Sequence, residues 1–315
     1  MIARLSRELF AFDRPETRGE LWHFKLYETF LVGTMVFWAW DWSRSIQRTA
    51  AVVKPLGIAA HVDISPMFSS GLSLLNAGLI SAGAVLGYLR VAPRLGYTAA
   101  FLGFHLQYVS RYSLGEICHA SNFVGMGVLA LAAAMWVYPG APERRKFAMG
   151  ASFFFIGLAY ASAALSKLVA SGPLWIDGRH LWLWIGEKSL DAYSKYGTLE
   201  LNPLQRAALG SRAFATLILG TGLAVEAAGL LLWFRGARAP VALLCIAMHL
   251  GIHFAMNILF DMSIYHLIVL GLPWAPLFER LLGRVATASL LRISRLGGSA
   301  LSAASARDSR PDIAR

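Results

Sequence analysis

Residues 147–170 read FAMGASFFFIGLAYASAALSKLVA, with no charge until Lys167. An α-helix rises 1.5 Å per residue, so about 20 such residues cross a hydrocarbon core of roughly 30 Å. The stretch therefore predicts a membrane span. Runs of the same kind recur outward from it, at about 21–43, 67–89, 95–110, 120–138, 213–234 and 241–259. A shorter apolar piece from Met262 to Trp274 reads as a broken eighth helix. The composition agrees: 57% of the 315 residues are hydrophobic and 15% charged, with a mean hydropathy of +0.53. Soluble chains carry about 25% charged residues, so this one has too few to cover a water-facing surface of its size. The expected fold is all-α integral membrane, a polytopic helical bundle of about seven to eight transmembrane helices.

Residues 1–20 set Phe10 and Phe12 among Arg4, Arg7, Arg14 and Arg18, the pattern of a basic interfacial arm. They lack the small-residue cleavage site of a signal peptide. The helical domain is expected over 21–282, and residues 283–315, rich in Ala, Ser and Arg, should be a disordered basic tail. Lys and Arg are roughly twice as frequent in the segments on the N-terminal side of the membrane as on the other, so both termini should be cytoplasmic. The net charge of +11 is spread between apolar runs, which argues against nucleic acid as a partner. Cys118 and Cys245 cannot build a disulfide framework, and no phosphate-binding loop, nucleophile elbow or haem-attachment motif is present.

Ionisable groups inside such a bundle are costly and point to function. Lys25 sits near an interface with Glu28 as a helical partner and can snorkel. Lys167 ends a run of small residues, Ala159, Ala161, Ser162, Ala163, Ala164 and Ser166, which should pack against other helices and turn the lysine inward, with Tyr160 on the same face. A desolvated lysine would serve as a base; a snorkelling or ion-paired lysine would be structural. Glu116, His119, Asn122 and Phe123 share a face at the start of the fourth span. Cys245, His249, His253, Asn257 and Asp261 follow at four-residue steps, a polar stripe down the seventh span with Tyr265 and His266 beyond. Glu226, in mid-span after Gly220, Thr221 and Gly222, is the acid expected beside that stripe or beside Lys167. A metal on His249, His253 and Asp261 is the alternative; the lack of a second histidine box disfavours it. Between spans five and six, residues 173–212 form an amphipathic outer loop holding Trp175, Trp182, Trp184, Tyr193 and Tyr196, a pocket lid or a surface anchor.

Four segments together resemble a known family: FFFIGLAYASAALSKLVASGPLWIDG at 153–178, ICHASNFVGMGVLALA at 117–132, GTGLAVEAAGLLLWF at 220–234 and HFAMNILFDMSIYHLIVL at 253–270. In order and spacing they are similar to the HTTM transmembrane domain that the vitamin K-dependent gamma-carboxylase shares with many bacterial proteins. The resemblance implies a pocket on the extracytoplasmic side that binds a reduced isoprenoid quinone. Lys167 would be the general base and His119 its catalytic neighbour, with His253 on the late helix. Tyr160, Glu226, Asn257, Asn122 and Trp175 complete the expected binding set. Ser166-Lys167-Leu168 stands where the carboxylase has Lys-Lys-Leu, and Cys118-His119 where it has Asn-His. The large lumenal part of the carboxylase has no counterpart here. Two expectations follow: a quinone-dependent oxidoreductase or carboxylase-like enzyme of the bacterial cytoplasmic membrane, or a non-catalytic maturation factor serving a soluble or membrane partner protein.

Overall fold

The computed structural model describes residues 2–48, 57–69, 71–114, 119–198 and 200–283, and these contain helices and no strand. The chain divides into two compact units: residues 1–15 with 24–272, and residues 16–23 with 273–315. The helices are α1 (Ile2–Phe10), α2 (Arg18–Arg48), α3 (Pro66–Ser69), α4 (Leu72–Tyr88), α5 (Pro93–Ser113), α6 (His119–Val137), α7 (Ala141–Ser171), α8 (Gly178–Tyr196), α9 (Pro203–Gly210), α10 (Arg212–Ala228), α11 (Arg238–Met256) and α12 (Asp261–Gly271). Each expected span has a helix at its place. By length and apolar content three can cross a membrane, Ala141–Ile176, Arg212–Trp233 and Arg235–Met256, or up to four if Asp261–Gly271 and Trp274–Gly283 count as one interrupted span. Among the others, α4 has 17 residues and α2 carries Lys25, Glu28 and Asp41 along its length.

Helix positions follow local chemistry. Pro142 and Gly172 bracket α7: proline suits a first turn, whose N–H groups are free, and Gly172 at φ 61 adopts a backbone that other residues resist. At α11 the expected end at residue 259 is corrected to Met256, because Asn257 takes the left-handed conformation (φ 56) and closes the helix. Cys245, His249 and His253 are therefore one stripe, while Asn257 is a cap and Asp261 opens α12.

Close backbone approach holds the larger unit together. A Cβ on Gly83 of α4 would lie 2.7 Å from the Gly96 carbonyl of α5, and such contact supplies the dispersion that drives helix association in lipid. Trp38, Trp42 and Phe104 stack beside it with ring centres 5.2–6.4 Å apart. Buried polar side chains are cross-linked: Asn76 donates to Gln107 (2.9 Å), which donates to Ser43 (2.9 Å), which donates to the Ser73 carbonyl (2.6 Å). Within residues 1–20 the arm is a helix docked on the protein. Gly150 of α7 leaves room for Leu9 and Phe10, and Arg235, Arg238 and Lys146 donate to the last carbonyls of α1 and the turn after it, where the helix dipole favours cations.

In the smaller unit, Thr17 and Glu20 each accept from the other's backbone N–H, a capping box that starts α2. Gly19 donates to Glu279 at 2.6 Å. The tail expected from 283 lies beyond the described residues after Gly283.

Candidate functional site

Lys167 makes an ion pair with Glu226, α7 to α10. Side chains on a helix slope toward its N-terminus, so on two antiparallel helices the lysine slopes inward and the glutamate outward until they meet. The carboxylate side chain is 10% exposed and the lysine 28%. The indole of Trp175, in the 3-10 turn Gly172–Ile176, covers the ammonium with its ring centre 4.9 Å away. Trp184 and His180 stand behind it, at 5.6 Å from Trp175 and 6.4 Å from Trp184.

The small-residue face needs correction. Among its members Ala164 is buried, whereas Ser162 and Ser166 are exposed. The line of α7 that packs is Gly157, Tyr160 and Ala164. A Cβ on Gly157 would stand 2.9 Å from the Gly229 carbonyl, and one on Gly229 would stand 2.5 Å from the Tyr160 Cβ. It is the two glycines, not the alanines, that let the helices meet.

Tyr160, fixed by that contact, hydrogen-bonds His249 Nε2 at 2.6 Å. Cys245 lies one turn before His249, fully buried. Phe123 and Phe260 wall the pair, at 6.1 Å from Tyr160 and 5.2 Å from His249. Among the described residues three buried polar atoms in this region have no hydrogen-bond partner: Glu226 Oε2, His249 Nδ1 and His253 Nδ1. Since buried polar groups are nearly always bonded, each of these orphans calls for a further partner, a water or a ligand.

Lys167, Glu226, Tyr160 and Trp175 are thus gathered as expected. His253, half-buried against Phe254, is one turn beyond His249. Asn122 is exposed. Asn257, also exposed, lines a separate polar crevice of about 150 Å³ with Lys188, Ser189, Asn202 and Gln205. Asp261 caps the Met262 N–H at 2.7 Å, and among the described residues no three His, Cys, Asp or Glu stand close enough to hold a metal. His119 opens α6, but its side chain, like Glu116 and Cys118, lies outside the described residues.

Two pairings were not foreseen. Tyr27 of α2 bonds His266 of α12 at 2.9 Å. Glu28, wholly buried, accepts from Tyr97 at 2.6 Å and Arg90 at 2.9 Å as well as from Lys25 at 3.2 Å. Between α7 and α10, Asp177 caps α8 and clamps Arg179 and Arg212. Its carboxyl is held well below the usual range, first by Arg179 and then by Arg212, which ties α8 to the start of α10. Glu187 in turn raises the Lys188 ammonium. The buried face of α8, Leu181 and Ile185, joins Ala215, Leu219 and Ala255 in an apolar cluster.

Comparison with family models, with curated proteins and with solved structures finds no match to this chain.

Proposed function

We propose that the chain is a multi-pass protein of the HTTM kind in the bacterial cytoplasmic membrane, with seven to eight spans and both termini cytoplasmic. In this reading the Lys167–Glu226 pair is the acid–base element of an enzyme acting on a lipid-soluble hydroquinone. The observation that carries it is the pairing itself: one transferable proton lies between an amine and a carboxylate, inside an apolar helix contact, under Trp175 and next to the Tyr160–His249 bond. Proton transfer needs a donor–acceptor couple placed within hydrogen-bond reach and shielded from water, and this cluster has that form. The family resemblance implies Lys167 as the general base, a role in which the ammonium would first pass its proton to Glu226.

The test is to purify the protein in lipid nanodiscs, extract bound quinones, and follow hydroquinone consumption under oxygen with the parent and with Lys167→Ala. The reading expects quinone in the parent extract and turnover that Lys167→Ala abolishes. Absence of any carried or converted quinone in the parent would end it. A second reading, an accessory factor for a partner protein, is favoured by the contacts that Lys167 makes, carboxylate and indole, which also suit a structural pin between helices. Full rescue of the host phenotype by Lys167→Ala would select that reading.

A further inference from the structure

We propose that Glu226, rather than Lys167, is the group that faces the ligand and takes its proton, and that Lys167 is the counter-cation. The inference rests on the acid–base reading above and assigns the labour within it. Glu226 Oε1 is occupied by Lys167, whereas Oε2 is buried and has no partner, on a residue only 8% exposed. The lysine is bonded to the carboxylate and covered by Trp175. The free acceptor is on the acid.

There is also room for a ligand at this level. Gly157 and Tyr160 of α7 meet Gly229, the residue that closes α10. On α10 an added Cβ on Gly222 meets nothing within 4 Å. Gly222 is four residues before Glu226, so both lie on the same face of α10. On the opposite face of α10 a Cβ on Gly220 would be 4.0 Å from Ile176, and Gly178 donates to Thr216 at 2.9 Å. The open space beside Gly222 therefore lies on the face of α10 that carries Glu226.

The chemical class that fits is an apolar molecule bearing one weakly acidic hydroxyl, a phenol or hydroquinone, entering side-on from the bilayer. Its hydroxyl donates to Oε2. The ligand O–H bond breaks, an Oε2–H bond forms, and the ligand is left as an oxyanion. Neutralised Glu226 releases its hold on the ammonium, which turns to the oxyanion, so the net charge of the site is unchanged and no oxidant is needed for this step. A carboxylate that is already paired is thus exchanged for an oxyanion that is paired.

The experiment uses the full chain in nanodiscs and 1-naphthol, a phenol that does not need redox control. Binding is measured by fluorescence for the parent, Glu226→Gln, Lys167→Met, the double variant and Gly222→Leu, and infrared difference spectra are taken on adding naphthol. We expect a protonated-carboxyl band in the parent that Glu226→Gln lacks, and a loss of affinity of about tenfold or more for Glu226→Gln, also when introduced into Lys167→Met, as for a bond to a charged group. Gly222→Leu should fill the open space and abolish binding without lowering the melting temperature. If Glu226→Gln adds nothing to Lys167→Met, the glutamate acts only through the lysine and the assignment falls while the hydroquinone reading stands. If the parent binds no naphthol, both fall. Should Glu226→Gln fail to fold, the carboxyl band of the parent decides alone: its absence on naphthol binding overturns the assignment.

Discussion

Replacing Gly229 by alanine puts a methyl group 2.5 Å from the Tyr160 Cβ, where ordinary carbon contact is about 3.5–4 Å. About 1 Å must be yielded, and there are two ways to yield it. If Tyr160 swings away, its 2.6 Å bond to His249 breaks. If the backbones part, Trp233 is drawn from the Phe154 carbonyl to which it donates at 3.1 Å. Overpacking costs about 1–3 kcal/mol, and a lost interhelical hydrogen bond in a membrane adds about 0.6 and at most about 1.7 kcal/mol. The expected loss is about 2–4 kcal/mol. Gly222→Ala is the reference, since its methyl enters open space and both changes replace glycine with a better helix former. Equilibrium unfolding in mixed micelles should place Gly229→Ala at least tenfold lower than Gly222→Ala in its folding constant. Equal stability of the two would refute the packing argument, and with it the claim that this contact aims Tyr160 at His249.

Glu28→Gln removes the charge that Arg90 and Lys25 share; because both partners are about one-third exposed, we expect a loss of about 2 kcal/mol rather than the full cost of a buried pair, read in the same titration. Asp177 has a depressed folded pKa, so its contribution to anchoring α8 is complete above the ordinary carboxyl value of 3.8 and lost as pH falls below it; the protection of amides in the first turn of α8, relative to their intrinsic exchange rate at each pH, should be unchanged from pH 7 to 5, and a loss of protection in that window would contradict the assignment. Single cysteines in place of Ser194 and Ala141 should react with an impermeant maleimide from opposite sides of the membrane. Labelling of both from one side would refute the proposed topology.

The helix positions were legible because runs such as 147–170 have no other physical outlet. Membrane crossing was less so: α2 is apolar enough in places to read as a span, yet its charges are absorbed by Arg90 and Tyr97, residues 62 and 69 positions away, and no local pattern joins such partners. Lys167 with Glu226 could be foreseen as two charges in want of each other. The four-step stripe predicted His249 as inward-facing but not that Tyr160 would take its Nε2, and it overran Asn257, whose left-handed backbone belongs to turn chemistry rather than to hydrophobic period. Small residues alone mislead about packing: alanine permits close approach, but only where the opposing helix also offers a glycine does the backbone make use of it.

Formation of a bound oxyanion tests the central claim most directly. A short-chain naphthohydroquinone, mixed without oxygen at neutral pH with the protein in nanodiscs, should give the absorption band of its monoanion in proportion to protein, and the band should vanish with Glu226→Gln and with Lys167→Ala. A spectrum that is only the sum of protein and neutral hydroquinone would contradict the account.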